Sequence, residues 1–212
     1  MIHLYTWTTP NGRKISILLE ELKVAYQAHA VNISKGAQFD PTFSEIAPNN
    51  RIPAIRDSDT GMHLMESGAI LLYLAQKYGR FQCSGPEYWP MLEWLMWQIS
   101  GVGPMLGQVH HFVKYNPGTS NYAERRYSAE AARLYKVLNT RLTQRDYVAG
   151  SARGEYSIAD IAIWPWIARF EWQRMHLKTY PNLLDWYLRI AARPAVQHGY
   201  QVPKYTTEIP MP

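Results

Sequence analysis

The chain has 212 residues, 47% of them hydrophobic and 18% charged, a balance that fills one large or two modest cores and excludes a disordered chain. Its net charge of +5 is spread over scattered Lys and Arg, with Arg125-Arg126 the densest pair, so no nucleic-acid partner is expected. One cysteine, Cys83, excludes an intramolecular disulfide, a CxxC pair and a cysteine zinc site; with no signal peptide and no membrane-spanning run, the expected location is cytoplasmic.

Residues 2–7 read as a strand, broken by Thr8-Thr9-Pro10-Asn11-Gly12. Ile15, Leu18, Leu19 and Leu22 recur at helical spacing, and 26–33 read as a second strand, giving a parallel β-α-β unit. Residues 34–50 read as loop with one helical turn near 42–46. Ile52–Ile55 and His63–Met65 flank a polar turn and predict a hairpin. Ile70, Leu71, Leu74, Ala75 and Tyr78 mark a helix that should end at Gly79 as its C′ residue. The expected division is 1–79, a linker at 80–87, and a second domain over 88–212.

Beyond the linker no strand pattern appears. Leu92, Leu95, Met96, Ile99, Val102 and Leu106 predict one helix face, which Gly101, Gly103, Pro104 and Gly107 should kink. Tyr127, Ala131, Leu134, Leu138 and Leu142 predict the next helix. Ser157-Ile158-Ala159-Asp160 reads as a capping box opening a helix apolar on all sides, hence central, with Pro165 bending it. A last helix is expected near 181–192, ending before Pro194, then a surface tail from Val202.

Four stretches of the first domain can carry chemistry. Thr9-Pro10-Asn11-Gly12 enters a helix; it is a simple cap, or a site where free N–H groups, the Thr9 hydroxyl and the Asn11 amide meet an anion. Pro53, in Asn50-Arg51-Ile52-Pro53, opens a strand, where a cis peptide would expose the neighbouring backbone to a ligand. Ser67 reads as a helix cap or a carboxylate site, and Glu66 beside it could take an amino group, so the pair suits a free amino-acid end. Gln38 could reach the same cleft. His110-His111 diverge on a helix and do not chelate.

Together these stretches resemble the glutathione transferase superfamily, over nearly the whole chain. Asn50-Arg51-Ile52-Pro53-Ala54-Ile55, Glu66-Ser67-Gly68-Ala69-Ile70 and Tyr156-Ser157-Ile158-Ala159-Asp160 match three of its motifs in order. Thr9-Pro10-Asn11-Gly12, Gly36-Ala37-Gln38-Phe39, Gly103–Gln108 and Trp164-Pro165-Trp166 look like the bacterial nu class, related to the fungal prion-type nitrogen regulator.

The resemblance implies a thioredoxin-like βαβ-ββα domain followed by an all-helical domain. It implies glutathione, reduced or as the disulfide, as the bound substrate, and no metal. Thr9 and Asn11 would sit at the sulfur as the catalytic pair. Gln38, Arg51, Ile52 and a cis Pro53 would bind the tripeptide, and Glu66 and Ser67 its γ-glutamyl end. Arg133 would reach across a homodimer interface, or else be a surface charge. Tyr5 lies inside strand one, where packing is expected. The implied activity is reduction of small disulfides with two glutathione thiols, Cys83 being a bystander. Conjugation of glutathione to apolar electrophiles, and a non-catalytic binding module, are the alternatives. The segment Gly101–Gly107, with Trp97 and His110-His111, is a candidate wall for the second substrate.

Overall fold

β1 (Ile2–Thr6) alternates buried Ile2, Leu4 and Thr6 with half-buried His3 and Tyr5, the period-two pattern of a strand packed on both faces. The computed structural model describes residues 1–212 and divides them into two units, Met1–Arg80 with Ala192–Ile209, and Phe81–Ala191 with Pro210–Pro212. In the first unit, β1 is flanked by β2 (Tyr26–Ala30), parallel to it, and by β3 (Ala54–Asp57), antiparallel. β4 (Met62–Met65) pairs antiparallel with β3, for an order β2-β1-β3-β4. The crossover from β1 to β2 is helix α1 (Pro10–Leu22).

β2 stops short of the expected 33 because Asn32 turns the chain, its Oδ1 accepting from the Ser34 N–H at 3.1 Å. β3 begins at Ala54, since Pro53 has no N–H to give the ladder. It also extends through Asp57, read from sequence as turn: the carboxylate is buried and held by Lys77 and by the Tyr73 hydroxyl at 2.6 Å. The helical turn expected near 42–46 is α2 (Pro41–Ile46), whose Phe43 packs with Val31, Ala47 and Ala54. α3 (Ser67–Tyr78) ends on Gly79 at φ 63°.

Residues 192–209, grouped by sequence with the helical domain, belong to the first unit. Pro194 was expected to mark a stop; it occupies the first turn of α9 (Pro194–Tyr200), where a missing N–H costs nothing. α9 lies on α1: Ser16 Oγ donates to the Gly199 carbonyl (2.7 Å), Arg13 Nε to the Tyr200 carbonyl (3.0 Å), and Glu21 pairs with Arg193. The Arg13 guanidinium also stacks 3.4 Å from the Tyr200 ring centroid.

The second unit is helical: α4 (Tyr88–Trp97), α5 (Gly103–Val109), α6 (Asn121–Arg141), α7 (Ile158–Ile167) and α8 (Pro181–Ala191). Between α4 and α5 the backbone widens into a π turn at Gln98–Val102, closed by the Gly103 N–H on the Gln98 carbonyl. This wide turn passes the chain across Pro104, which cannot donate. The buried stripe is therefore Met91, Leu95, Gln98, Val102, Leu106 and Val109, while Met96, expected inside, is exposed. A second π turn spans His110–Tyr115.

α7 is buried at every position, with Pro165 inside it. Its capping box forms: Ser157 Oγ accepts from the Ala159 N–H, and Asp160 Oδ2 from the Ser157 N–H. Asp160 Oδ1 also accepts from the Val148 N–H (3.0 Å) and Trp186 Nε1 (2.9 Å), so one carboxylate ties α7 to the preceding loop and to α8. Burial nevertheless raises the Asp160 pKa to about 6.

Candidate active site

In the first unit, strand register gathers the four candidate stretches at one end of the sheet. Thr6 pairs with Ala30, Tyr5 with Ala54, and Ala54 with Met65. The Thr9 loop follows the carboxyl end of β1, Gln38 that of β2, and Glu66 that of β4, while Pro53 precedes the amino end of antiparallel β3. Loops at the carboxyl ends of parallel strands are where α/β sheets place ligands.

Thr9 is the N-cap of α1, extended at φ −111° and ψ 161°, and its Oγ1 accepts from the Gly12 N–H at 3.2 Å. With its oxygen accepting from Gly12, the hydroxyl can still donate its own hydrogen. Gly12 is required by close approach. A Cβ there would stand 2.3 Å from the Trp7 carbonyl oxygen and 2.4 Å from Thr6 Oγ1. Asn11 is half-buried in the first turn of α1.

Gln38 and the Ile52 segment are coupled by Asn50. Its Nδ2 donates to the Gln38 carbonyl (2.9 Å) and to Ser44 Oγ (2.6 Å), from a left-handed backbone at φ 52°. The Gln38 Oε1 is buried without a hydrogen-bond partner, an acceptor left to be satisfied. Ile52–Pro53 is a cis peptide, and Arg51 is exposed beside it. Glu66 adopts φ 71° and ψ 115°, a region that costs a non-glycine residue about 1–3 kcal/mol and is found mostly where function requires it. Ser67 follows as the first residue of α3, 6% exposed.

Lys14 was missed in the sequence. It lies in α1, is 1% exposed, and its Nζ donates to Ser67 Oγ at 3.1 Å. Burial lowers its pKa to about 7, against the opposing pull of Glu66. The available signal was the apolar spacing around it: α1 is buried continuously from Gly12 to Leu19, so a lysine there is an interior charge. Asn50 lies in the Asn50-Arg51-Ile52-Pro53 stretch, where the sequence alone assigns it no role.

Tyr5 is a packing residue, stacked on His29 (centroids 4.7 Å apart) and tilted against Phe43 (6.2 Å). In the second unit, Arg133 is on the exposed side of α6 and forms a two-pronged pair with Glu130 at 2.8 and 2.7 Å. His110 is buried, stacked on Trp166, and its Nε2 lies 3.0 Å from Gln173 Nε2. Since that amide nitrogen is a donor, His110 is the acceptor and neutral, and burial lowers its pKa to about 4. Its neighbour His111 is exposed, so the two diverge as expected. Trp97 is half-buried, edge-on to Trp94. Cys83 is 4% exposed, and burial pushes its thiol up to about 11. No three His, Cys, Asp or Glu side chains cluster closely enough to hold a metal ion.

The model of the glutathione S-transferase N-terminal domain matches residues 1–76, and that of the C-terminal domain matches residues 122–189. The disulfide-bond oxidoreductase YfcG of Escherichia coli is 49% identical over 201 residues, 92% of each chain. A glutathione transferase from Pseudomonas putida, crystallised with one glutathione disulfide per subunit, superposes with a TM-score of 0.89 at 40% identity, over 95% of this chain and 91% of that one. A second, from Burkholderia graminis with two glutathione molecules per subunit, gives 0.88 at 37% identity, over 97% and 89%.

Proposed function

The chain belongs to the glutathione S-transferase family, and from that premise we propose that it reduces small disulfides with glutathione, using thiols that the ligand alone supplies. The observation that carries this reading is the state of its one cysteine, which is buried with a raised thiol pKa and unfit as a nucleophile. Every reacting sulfur must then come from glutathione or substrate. The Pseudomonas and Burkholderia relatives, holding one glutathione disulfide or two glutathione molecules per subunit, support a site that takes both thiols.

A free thiol titrates near ~8.5, so glutathione is mostly protonated at neutral pH. The Thr9 hydroxyl, the Asn11 amide and the N–H groups opening α1 favour its thiolate, each pKa unit of lowering being about 1.4 kcal/mol. The thiolate attacks one sulfur of the substrate disulfide. A mixed disulfide forms, and the other substrate sulfur leaves as a thiolate that takes up a proton. A second glutathione thiolate attacks the glutathione sulfur of the mixed disulfide, releasing the second substrate thiol and leaving glutathione disulfide. Two electrons pass from two glutathione thiols to the substrate disulfide, and no protein group changes oxidation state.

Gln38, Arg51, the Ile52 backbone beside Pro53, Glu66 and Ser67 bind the tripeptide in this reading. The assembly we propose is a cytoplasmic homodimer in which Arg133 exchanges Glu130 for the ligand bound by the partner; Arg133→Ala should then raise the KM for glutathione. The deciding experiment sets disulfide reduction beside conjugation to an aromatic halide, in native and Cys83→Ala protein. Reduction should exceed conjugation and survive C83A. Loss of reduction in folded C83A would refute the mechanism, and dominant conjugation would return the chain to the transferase reading.

A further inference from the structure

Building on that reading of the glutathione site, we propose that Lys14 is a positioning residue for the γ-glutamyl carboxylate: it orients the Ser67 hydroxyl toward the ligand and becomes the cation that answers the carboxylate when it docks. Lys14 reaches from the interior of α1 to the start of α3, where its Nζ donates to Ser67 Oγ at 3.1 Å with 1% of the residue exposed. An oxygen that accepts from Lys14 must point its own hydrogen away from the lysine. A carboxylate taking that hydrogen sits one hydroxyl group from the lysine, within a region of low dielectric where opposite charges interact strongly.

Before the ligand arrives, desolvation brings the lysine near neutrality, at a pKa of about 7. The other charged groups on the elements packed against α1 are paired or exposed. Arg193 of α9 is held by Glu21, and Lys77 of α3 by Asp57 and Asp59; His198 of α9 is exposed, and His3 of β1 bonds His29. Glu66 is the charge that acts on Lys14, and it raises the pKa. A second carboxylate beside it moves the lysine further in the same direction, so docking draws a proton from solvent.

The test uses S-methylglutathione, which has no thiol to titrate, and its analogue lacking the γ-glutamyl carboxylate, the S-methyl 4-aminobutyryl peptide. Titration calorimetry at pH 8 in buffers of different ionisation enthalpy should show roughly half a proton or more taken up by the native protein per site, and close to none by folded Lys14→Met. Native protein should bind S-methylglutathione at least about 10-fold tighter than the analogue, and K14M should shrink that gap to about 2-fold. Lys14→Gln serves if K14M does not fold. An unchanged gap together with unchanged proton uptake in the variant overturns the role of Lys14. Failure of the native protein to bind S-methylglutathione at all would instead remove the glutathione reading on which the role rests.

Discussion

Gly199→Ala places two effects of opposite sign in competition. Alanine is favoured over glycine inside a helix by about 1 kcal/mol, so propensity alone predicts a more stable protein. The packing of α9 on α1 predicts the reverse. A Cβ at Gly199 would stand 2.6 Å from Ile17 Cα, 2.7 Å from Ile17 N and 3.0 Å from Ile17 Cγ1. Carbon–carbon contacts settle near 3.5–4.0 Å, a shortfall of about 1 Å, and the nearest atoms are helix backbone that cannot swing aside. Overpacking of this kind costs about 1–3 kcal/mol. As α9 retreats, the Ser16–Gly199 (2.7 Å) and Arg13–Tyr200 (3.0 Å) hydrogen bonds lengthen. Each is worth about 1 kcal/mol. The net expectation is destabilisation by about 2–4 kcal/mol, read as a lower urea midpoint at unchanged slope by tryptophan fluorescence. A neutral or stabilised G199A would refute the packing of residues 192–209 on α1.

Thr9→Ala should cost about 1 kcal/mol of stability through the lost cap, and T9S should restore it. With Asn11→Ala added, disulfide turnover should fall more than glutathione affinity; equal rates would mean that backbone donors alone activate the thiol. Lys14 carries a pH signature in the unliganded protein. Its folded pKa of about 7 lies below the ordinary 10.5, so between these values the unfolded chain binds more protons. Its contribution to stability therefore improves as pH rises from 7 toward 10, and the full cost of burying the charge applies below 7. K14M should be more stable near pH 7 by on the order of 4 kcal/mol, less about 1 for the Ser67 hydrogen bond, with a flatter profile between pH 7 and 10. Denaturation at pH 7 and 9 checks it; a destabilised, equally pH-dependent K14M would contradict the buried-charge account.

A stabilising substitution at the candidate site has a physical basis. Lys14 and Glu66 are both expensive, one as a charge without water and the other as a side chain at φ 71°. Their cost is tolerated where it meets the loops of the site, and the rest of the unit offsets it.

Much of this was local and therefore legible in the chain. The Thr9 cap, the Gly79 terminus and the Ser157–Asp160 box depend on residues within three or four positions of each other, and each forms. So does β1, whose alternation is a property of neighbouring residues, and the four candidate stretches were recognisable as motifs. What the sequence left open was set by groups far apart in number. Pro194 reads as a stop but opens α9, because Arg13, Ser16 and Glu21 on α1 receive that helix. The apolar stripe of α4 and α5 shifts because a π turn at Gln98–Val102 adds a residue to the helical period ahead of Pro104. Asp57 became strand through Tyr73 and Lys77. Lys14 became a buried charge against Ser67 only when α1 and α3 closed over it. Local chemistry determined the elements and their caps; burial, which decides how a charge behaves, exists only once distant segments have excluded water from between them.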